Sequence, residues 1–214
     1  MPDNQGFRRD LREFARSFGS YEEAVLSEPN FVKTCRNVLV DYYSAMAGLI
    51  HNTRRTKNIW LYGSYGTGKT TTARAYLTAH YGDNWYQKDG QAKWWDGYCS
   101  KHKAVLWDEF RAGSLPEHDG FAWFLRLLDK YDLRVERKHG TVVLQHECLV
   151  ITSNRSPIDI FASRDKESGE KIARDEHLGQ LIRRLSFIIH VERAPENSGF
   201  NRPVLIDETD TFYN

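Results

Sequence analysis

The residues with the clearest chemical potential are the eight from Gly63 to Thr70, which read GSYGTGKT. They fit the pattern G-x-x-x-x-G-K-[ST] in full, between an apolar run that predicts a strand and a stretch that predicts a helix. The pattern predicts a loop whose backbone N–H groups face a phosphate chain, with the Lys69 ammonium on the β- and γ-phosphates. We predict that the nucleotide contacts Gly63, Ser64, Tyr65, Gly66, Thr67, Gly68, Lys69 and Thr70.

Two acidic residues, Asp108 and Glu109, follow directly on the apolar residues 104–107. Adjacent carboxylates at a strand end suit nucleotide hydrolysis, with Asp108 and the Thr70 hydroxyl on Mg²⁺ and Glu109 polarising the attacking water. Two solvated acids at a strand end would have the same sequence. Behind a phosphate loop, the pair favours the hydrolytic interpretation.

Asn154 ends another apolar run, in the context Ile-Thr-Ser-Asn. Its amide could contact the γ-phosphate and orient the water, as a sensor residue does. The alternative is an Asn that caps a turn before Pro157. As the third motif in order, the sensor role is the better interpretation, and it predicts a sensor strand between the strands of the other two motifs.

These motifs need a frame, and the rest of the sequence predicts one. Short apolar runs alternate with amphipathic stretches, which is typical of an α/β fold with a parallel sheet. We predict a small helical domain over residues 1–50, a P-loop ATPase domain over 51–194, and a loosely held polar tail over 195–214. The predicted strands are 58–63, 103–110, 148–154 and 186–191, the main helix is 69–81, and 134–144 predicts a hairpin.

Composition excludes several classes of protein. Lys and Arg number 30 against 29 Asp and Glu, so the net charge of +1 argues against an arm that coats nucleic acid by bulk charge. The 3 cysteines form neither a disulfide framework nor a zinc pair, and this favours a reducing compartment. No run approaches ~18 apolar residues, so no membrane span is expected. No NKxD motif is present, which favours ATP over GTP.

Beyond these motifs, five further segments carry a family likeness. The chain resembles the superfamily 3 helicase domain, an AAA+ ATPase, of Rep replication-initiator proteins from circular single-stranded DNA viruses, especially the circovirus-like group. The likeness covers roughly residues 20–191. The segments are EPNFVKTCRNVL (28–39), WWDGY (94–98), FLRLLDKYDLRVERKHG (124–140), VITSNRSP (150–157) and LIRRL (181–185).

This resemblance implies an AAA+-type ATPase that assembles as a ring, expected to be a hexamer, around single-stranded DNA. The helices before the ATPase would form an oligomerisation domain, and ATP with Mg²⁺ would bind between subunits. A neighbouring subunit would supply an arginine finger, for which Arg183 and Arg184 are both candidates. The hairpin turn would contact DNA through Arg137, Lys138 and His139. The resemblance also implies activity in the host nucleus.

Departures from the family leave other readings open. Full Rep proteins begin with a nuclease domain that has a His-hydrophobic-His motif, which this sequence lacks. We therefore expect a shortened form with the nuclease upstream in cis in the full Rep protein, and we do not predict DNA nicking. One alternative is an ATP-dependent DNA-binding or packaging switch without unwinding. A P-loop kinase is a weaker one, since Glu109 and the hairpin argue against it.

Overall fold

The chain divides into two compact units, which we name after their β-structure. The hairpin unit contains Met1–Asn52, Trp94–Lys101 and Asp132–Gln145, and the sheet unit contains Thr53–Lys93, His102–Tyr131 and His146–Asn214. No helix among the described residues is long and apolar enough to cross a membrane. The computed structural model describes residues 13–18, 21–33, 35, 39, 56–88, 93–116, 118–138, 140–162, 176–194 and 202–213.

The described part of the chain contains both helices and strands. The strands are β1 (Lys57–Tyr62), β2 (Trp85–Lys88), β3 (Ala104–Trp107), β4 (Arg134–Arg137), β5 (Gly140–Val143), β6 (Cys148–Ser153), β7 (Phe187–Glu192) and β8 (Val204–Asp207). The helices are α1 (Tyr21–Ser27), α2 (Lys69–Tyr81), α3 (Gly120–Leu128), α4 (Pro157–Phe161), α5 (Glu176–Ile182) and α6 (Thr209–Tyr213).

The sheet unit is built on a six-stranded sheet in the order β2-β3-β6-β1-β7-β8. The first five strands in this order are parallel, and β8 is antiparallel to β7. Strands β3 and β6 are buried at every residue, because a parallel sheet covered on both faces requires continuous apolar runs. The predicted strands and the helix over 69–81 are therefore confirmed, with shifts of a few residues at strand ends.

Helix α2 covers one part of the sheet through its apolar positions. Ala73 and Leu77 are fully buried and join Ile59, Leu61 and Leu106 of the strands in one core cluster. This packing fixes the start of α2 directly after β1. The phosphate loop lies between these two elements.

An aromatic cluster packs the segments that follow β3 and β6. Phe110 lies 5.3 Å from Trp60 and 5.0 Å from Phe124, and Phe124 lies 5.6 Å from Phe161, measured between ring centroids. The Trp60 indole N–H also donates to the Arg155 carbonyl at 3.1 Å. Because buried aromatic rings contribute large packing areas, this cluster holds the ends of two strands in place.

The hairpin unit contains the antiparallel pair β4 and β5. Arg137 pairs with Gly140, so the chain reverses between these residues, as predicted for 134–144. The Trp95 N–H donates to the Glu136 carbonyl at 3.0 Å, which ties the 94–101 segment to β4. Helical residues of this unit share a separate core of Ala15, Ala24, Val32, Cys35 and Leu39.

The structure differs from prediction at the C-terminus. We predicted a loosely held tail over 195–214, but β8 pairs with the edge of β7, and α6 follows it. The Tyr213 hydroxyl also donates to the carbonyls of Ile182 and Leu185, at 3.1 and 3.0 Å. Strand β8 has only four residues between polar neighbours, so its pattern is too short to detect. The predicted boundary at residue 50 lies outside the described residues and stays a prediction.

Candidate active site

The phosphate loop connects the end of β1 to the start of α2. The Lys69 ammonium donates to the carbonyls of Gly63 and Ser64 at 2.8 and 2.7 Å, and the Thr67 hydroxyl donates to Ser64 at 3.0 Å. Burial lowers the pKa of Lys69, and the Asp108 and Glu109 carboxylates oppose that shift. The ammonium is thus folded back on its own loop, close to the place where a phosphate chain would lie.

Gly63 is required here by a close approach of neighbouring backbone. A Cβ at this position would lie 2.2 Å from the Val191 carbonyl oxygen at the end of β7. Its φ of 150° is also unfavourable for residues with a side chain. The first glycine of the motif therefore allows the loop to begin tightly against the sheet.

Asp108 is held by two threonines from different elements. The Thr70 hydroxyl of α2 donates to Asp108 Oδ1 at 2.8 Å, and the Thr152 hydroxyl of β6 donates to the same oxygen at 2.6 Å. These bonds bring the two predicted magnesium ligands, Thr70 and Asp108, directly together. They also fix the orientation of the carboxylate.

Thr152 is a site residue that our reading of the sequence missed. Besides orienting Asp108, it accepts the Glu109 N–H on its hydroxyl at 2.9 Å and the Phe110 N–H on its carbonyl at 2.8 Å. Its side chain is buried and 1% exposed. The signal lies in the register, since β3 and β6 pair through Trp107 and Ile151, which places the next residues of both strands side by side.

Glu109 has an unusual backbone conformation. Its φ of 51° lies in the left-handed region, which residues other than glycine seldom adopt and which is found at functional sites. The side chain is 75% exposed, and its Oε2 lies 4.0 Å from the Arg111 guanidinium. The turn therefore directs this carboxylate away from the core, towards the cavity described next.

Asn154 and the phosphate loop meet at one cavity. The Asn154 amide nitrogen donates to the Tyr65 hydroxyl at 3.1 Å. A cavity of about 250 Å³ is lined by both residues and by Lys69, Thr70 and Glu109. The three predicted motifs thus converge, and β6, which carries Asn154, lies between β1 and β3 as predicted.

The protein oxygens at this cavity suit a magnesium ion. Thr70 and Asp108 supply the hard oxygen ligands that Mg²⁺ prefers, and Mg²⁺ usually keeps several waters and phosphate oxygens as well. The described residues contain no cluster of three or more His, Cys, Asp or Glu that could hold a metal by themselves. A magnesium ion here would thus depend on a nucleotide for its remaining ligands.

Arg183 and Arg184, the two candidate arginine fingers, have different surroundings. Arg184 donates to Asp129 Oδ2 from Nη2 at 2.9 Å and from Nε at 3.3 Å, and to the Gln180 carbonyl at 2.8 Å. Arg183 is exposed, and no bond joins its side chain to another residue in the described ranges. The sequence does not separate the two arginines, whereas their contacts do.

Asp129 is adapted to its arginine partner. Burial alone would raise the pKa of this carboxyl, but the Lys130 N–H and the Arg184 guanidinium outweigh burial and hold the pKa below its usual range. The carboxylate therefore stays ionised at neutral pH. The pair fixes Arg184 within its own subunit.

The hairpin turn presents Lys138 in a defined position. Asp96 accepts the Lys138 N–H at 2.7 Å, and its other oxygen lies 3.8 Å from the Lys138 ammonium, which is 67% exposed. Arg137 is half-buried at the end of β4, and His139 lies outside the described residues. Asp96 therefore belongs to the turn, although the sequence gave no role to it.

The aromatic residues near Asp96 serve mainly as core. Trp95 and Tyr98 are buried, and the Tyr98 hydroxyl accepts the Gln145 N–H at 2.8 Å. Trp94 is 38% exposed. The interpretation that packing explains most of these aromatics is confirmed for Trp95 and Tyr98.

Known proteins share these features in sequence. Residues 59–155 match a family model described as RNA helicase. The replication-associated protein of Porcine circovirus 2 is 30% identical over 201 residues, covering 92% of this chain and 58% of that protein. The chain is a relative of circovirus replication-associated proteins. The counterpart in Porcine circovirus 1 is 31% identical over 76% of the chain and 50% of that protein, and the counterpart in Goose circovirus is 39% identical over 50% of the chain and 33% of that protein.

The circovirus relatives place the site in a helicase-type domain. This chain spans 58% and 50% of the lengths of the two porcine proteins. The segment matched by the family model includes the phosphate loop, Asp108, Glu109 and Asn154. The sheet order β2-β3-β6-β1-β7 is that of AAA+-type P-loop NTPases, so fold and relatives agree.

Proposed function

We propose that this chain is the ATP-driven DNA helicase or translocase module of a viral rolling-circle replication initiator. It acts as a ring, most simply a hexamer, around single-stranded DNA. The observation that carries the proposal is the convergence of Lys69, Thr70, Glu109 and Asn154 on one cavity. The circovirus relatives supply the biological setting.

In the proposed reaction, water attacks the γ-phosphate and ADP leaves. The Lys69 ammonium moves from its loop carbonyls to the phosphates. Bound Mg²⁺, held by Thr70 and Asp108, would neutralise phosphate charge. Glu109 takes the proton of the attacking water. Because Tyr65 accepts the amide nitrogen of Asn154, the amide oxygen faces away from Tyr65 and can accept a hydrogen bond from that water.

The unwinding activity is tested by strand displacement from a labelled duplex with a single-stranded tail. With ATP and Mg²⁺, the wild-type protein releases the labelled strand, and Lys69→Ala does not. Parallel duplexes with a DNA or an RNA tail establish which strand it tracks, and we expect DNA. Full unwinding by Lys69→Ala would reject the proposal.

The same assay separates the proposal from its alternatives. A protein that hydrolyses ATP and binds DNA but releases no strand would be an ATP-dependent binding or packaging switch. Release of free phosphate without an acceptor molecule would exclude a kinase. The host nucleus and a nuclease domain upstream in cis stay predictions of the resemblance.

We propose Arg183 as the arginine finger, supplied by one subunit to the ATP of its neighbour. Its side chain is exposed at the end of α5, whereas Arg184 is bound to Asp129 in its own subunit. A guanidinium that reaches a neighbour must be free to leave its own surface. Arg184 therefore has a structural role.

The two arginines should respond differently to substitution by alanine. Arg183→Ala keeps its stability and nucleotide binding but loses hydrolysis by about 10³-fold or more, since the finger stabilises transition-state charge. Arg184→Ala lowers the free energy of unfolding by about 1 kcal/mol, because its ion pair is partly exposed. Urea unfolding and phosphate release measure the two effects.

Mixed rings show whether Arg183 acts between subunits. Arg183→Ala and Lys69→Ala are each inactive alone, but mixing them creates interfaces with an intact finger and an intact loop. We expect partial recovery of hydrolysis. No recovery, together with normal assembly of the mixed ring, would exclude Arg183 as a finger supplied in trans.

We propose that the hairpin binds DNA phosphates through Lys138, with Arg137 as support and His139 as a further candidate. The Lys138 ammonium is exposed, and Asp96 fixes the backbone beneath it. Phosphate contacts give affinity without reading the base sequence. Repetition of the turn around a ring would create a basic lining although each chain is nearly neutral.

Lys138→Ala should weaken binding to single-stranded DNA and reduce its dependence on salt. Each lysine lost from the ring lowers the slope of log K against log salt by about 0.7, because fewer counterions are released. Fluorescence anisotropy at several salt concentrations measures the slope. Lys101→Ala removes the same charge from the hairpin unit and serves as the control. An unchanged slope in Lys138→Ala would contradict the assignment.

A further inference from the structure

Two side chains outside the predicted motifs contact the phosphate loop. The Arg193 Nη2 lies 3.1 Å from the place where a Cβ at Gly66 would be. The Pro203 Cγ lies 3.5 Å from the corresponding place at Gly68. The loop is therefore packed against residues of the C-terminal part of the chain.

The pairing of β7 with β8 brings these two side chains to the same end of the sheet. Glu192 is paired with Val204, so Arg193, one residue later, and Pro203, one residue earlier, lie next to this last pair. Residues 195–201 between them lie outside the described part. The antiparallel pair thus presents a guanidinium and an apolar ring to the loop.

The sheet order separates these side chains from the hydrolytic groups. Strands β3 and β6, which lead to Glu109 and Asn154, lie on one side of β1, and β7 and β8 lie on the other. Arg193 and Pro203 do not line the cavity that Glu109 and Asn154 share. If the γ-phosphate lies at that cavity, a nucleotide that follows the loop extends its nucleoside end towards β7 and β8.

We propose that Arg193 and Pro203 bind the base of the nucleotide, with the planar guanidinium stacked on the ring. This inference rests on the proposed ATPase function. A guanidinium is suited to this role because it stacks on aromatic faces, and proline offers a rigid apolar surface. Arg193 is exposed, and no hydrogen bond or ion pair occupies its side chain among the residues described, so it can meet a ligand.

The experiment compares three ligands on the full chain, in the presence of Mg²⁺: a non-hydrolysable ATP analogue, ADP and inorganic tripolyphosphate. Arg193→Gln should weaken the analogue and ADP by about tenfold each. Tripolyphosphate, which has no base, should compete as well as it does against the wild-type protein. Arg193→Lys keeps the charge but not the plane, and we expect it to resemble Arg193→Gln.

Controls keep this inference separate from the proposed function. Arg202→Gln removes one charge from the same segment and should bind all three ligands normally. Equal binding of ADP by wild type and Arg193→Gln would overturn the inference, and so would an equal loss of tripolyphosphate, which would make Arg193 a phosphate contact. Should Arg193→Gln unfold, Arg193→Lys decides by the same comparison. If the wild-type chain bound none of the ligands, the proposed ATPase function itself would fail.

Discussion

One carboxylate oxygen joins the parts of this site. Asp108 Oδ1 accepts hydrogen bonds from Thr70, at the start of α2, and from Thr152, in β6. The phosphate loop, the acidic turn and the sensor strand are thereby tied to a single atom. Because each partner is anchored in a regular element, the geometry of the proposed magnesium site follows from the geometry of the sheet. Displacement of any one element would misalign the other two.

The surrounding packing serves this arrangement. The register of β3 against β6 places Asp108 and Thr152 side by side, and the aromatic cluster around Phe110 and Phe124 fixes the chain just beyond them. Glu109 lies between these anchored residues in a left-handed conformation, and the anchors on both sides hold it there. A strained residue is thus held by well-packed neighbours, as is common where a side chain must point into a cleft.

Much of this was predictable from sequence, for a physical reason. Strands covered on both faces read as apolar runs, and the phosphate loop has few other uses, so the core strands and the motif residues were found. Other features depend on tertiary contacts: Thr152 on strand register, Asp96 on its bond to the Lys138 turn, and the distinction between Arg183 and Arg184 on Asp129. Strand β8 was missed because four residues among polar neighbours give too little pattern.

The magnesium dependence of ATP hydrolysis tests the role of Asp108 and its anchors most directly. Thr152→Val keeps the shape of the side chain but removes the hydroxyl that orients Asp108, and Thr152→Ser retains it. We predict that Thr152→Val loses about tenfold or more in apparent magnesium affinity or rate, as expected for partners of metal ligands. Thr152→Ser should stay close to wild type. A Thr152→Val protein with the magnesium dependence and rate of the wild type would contradict the account.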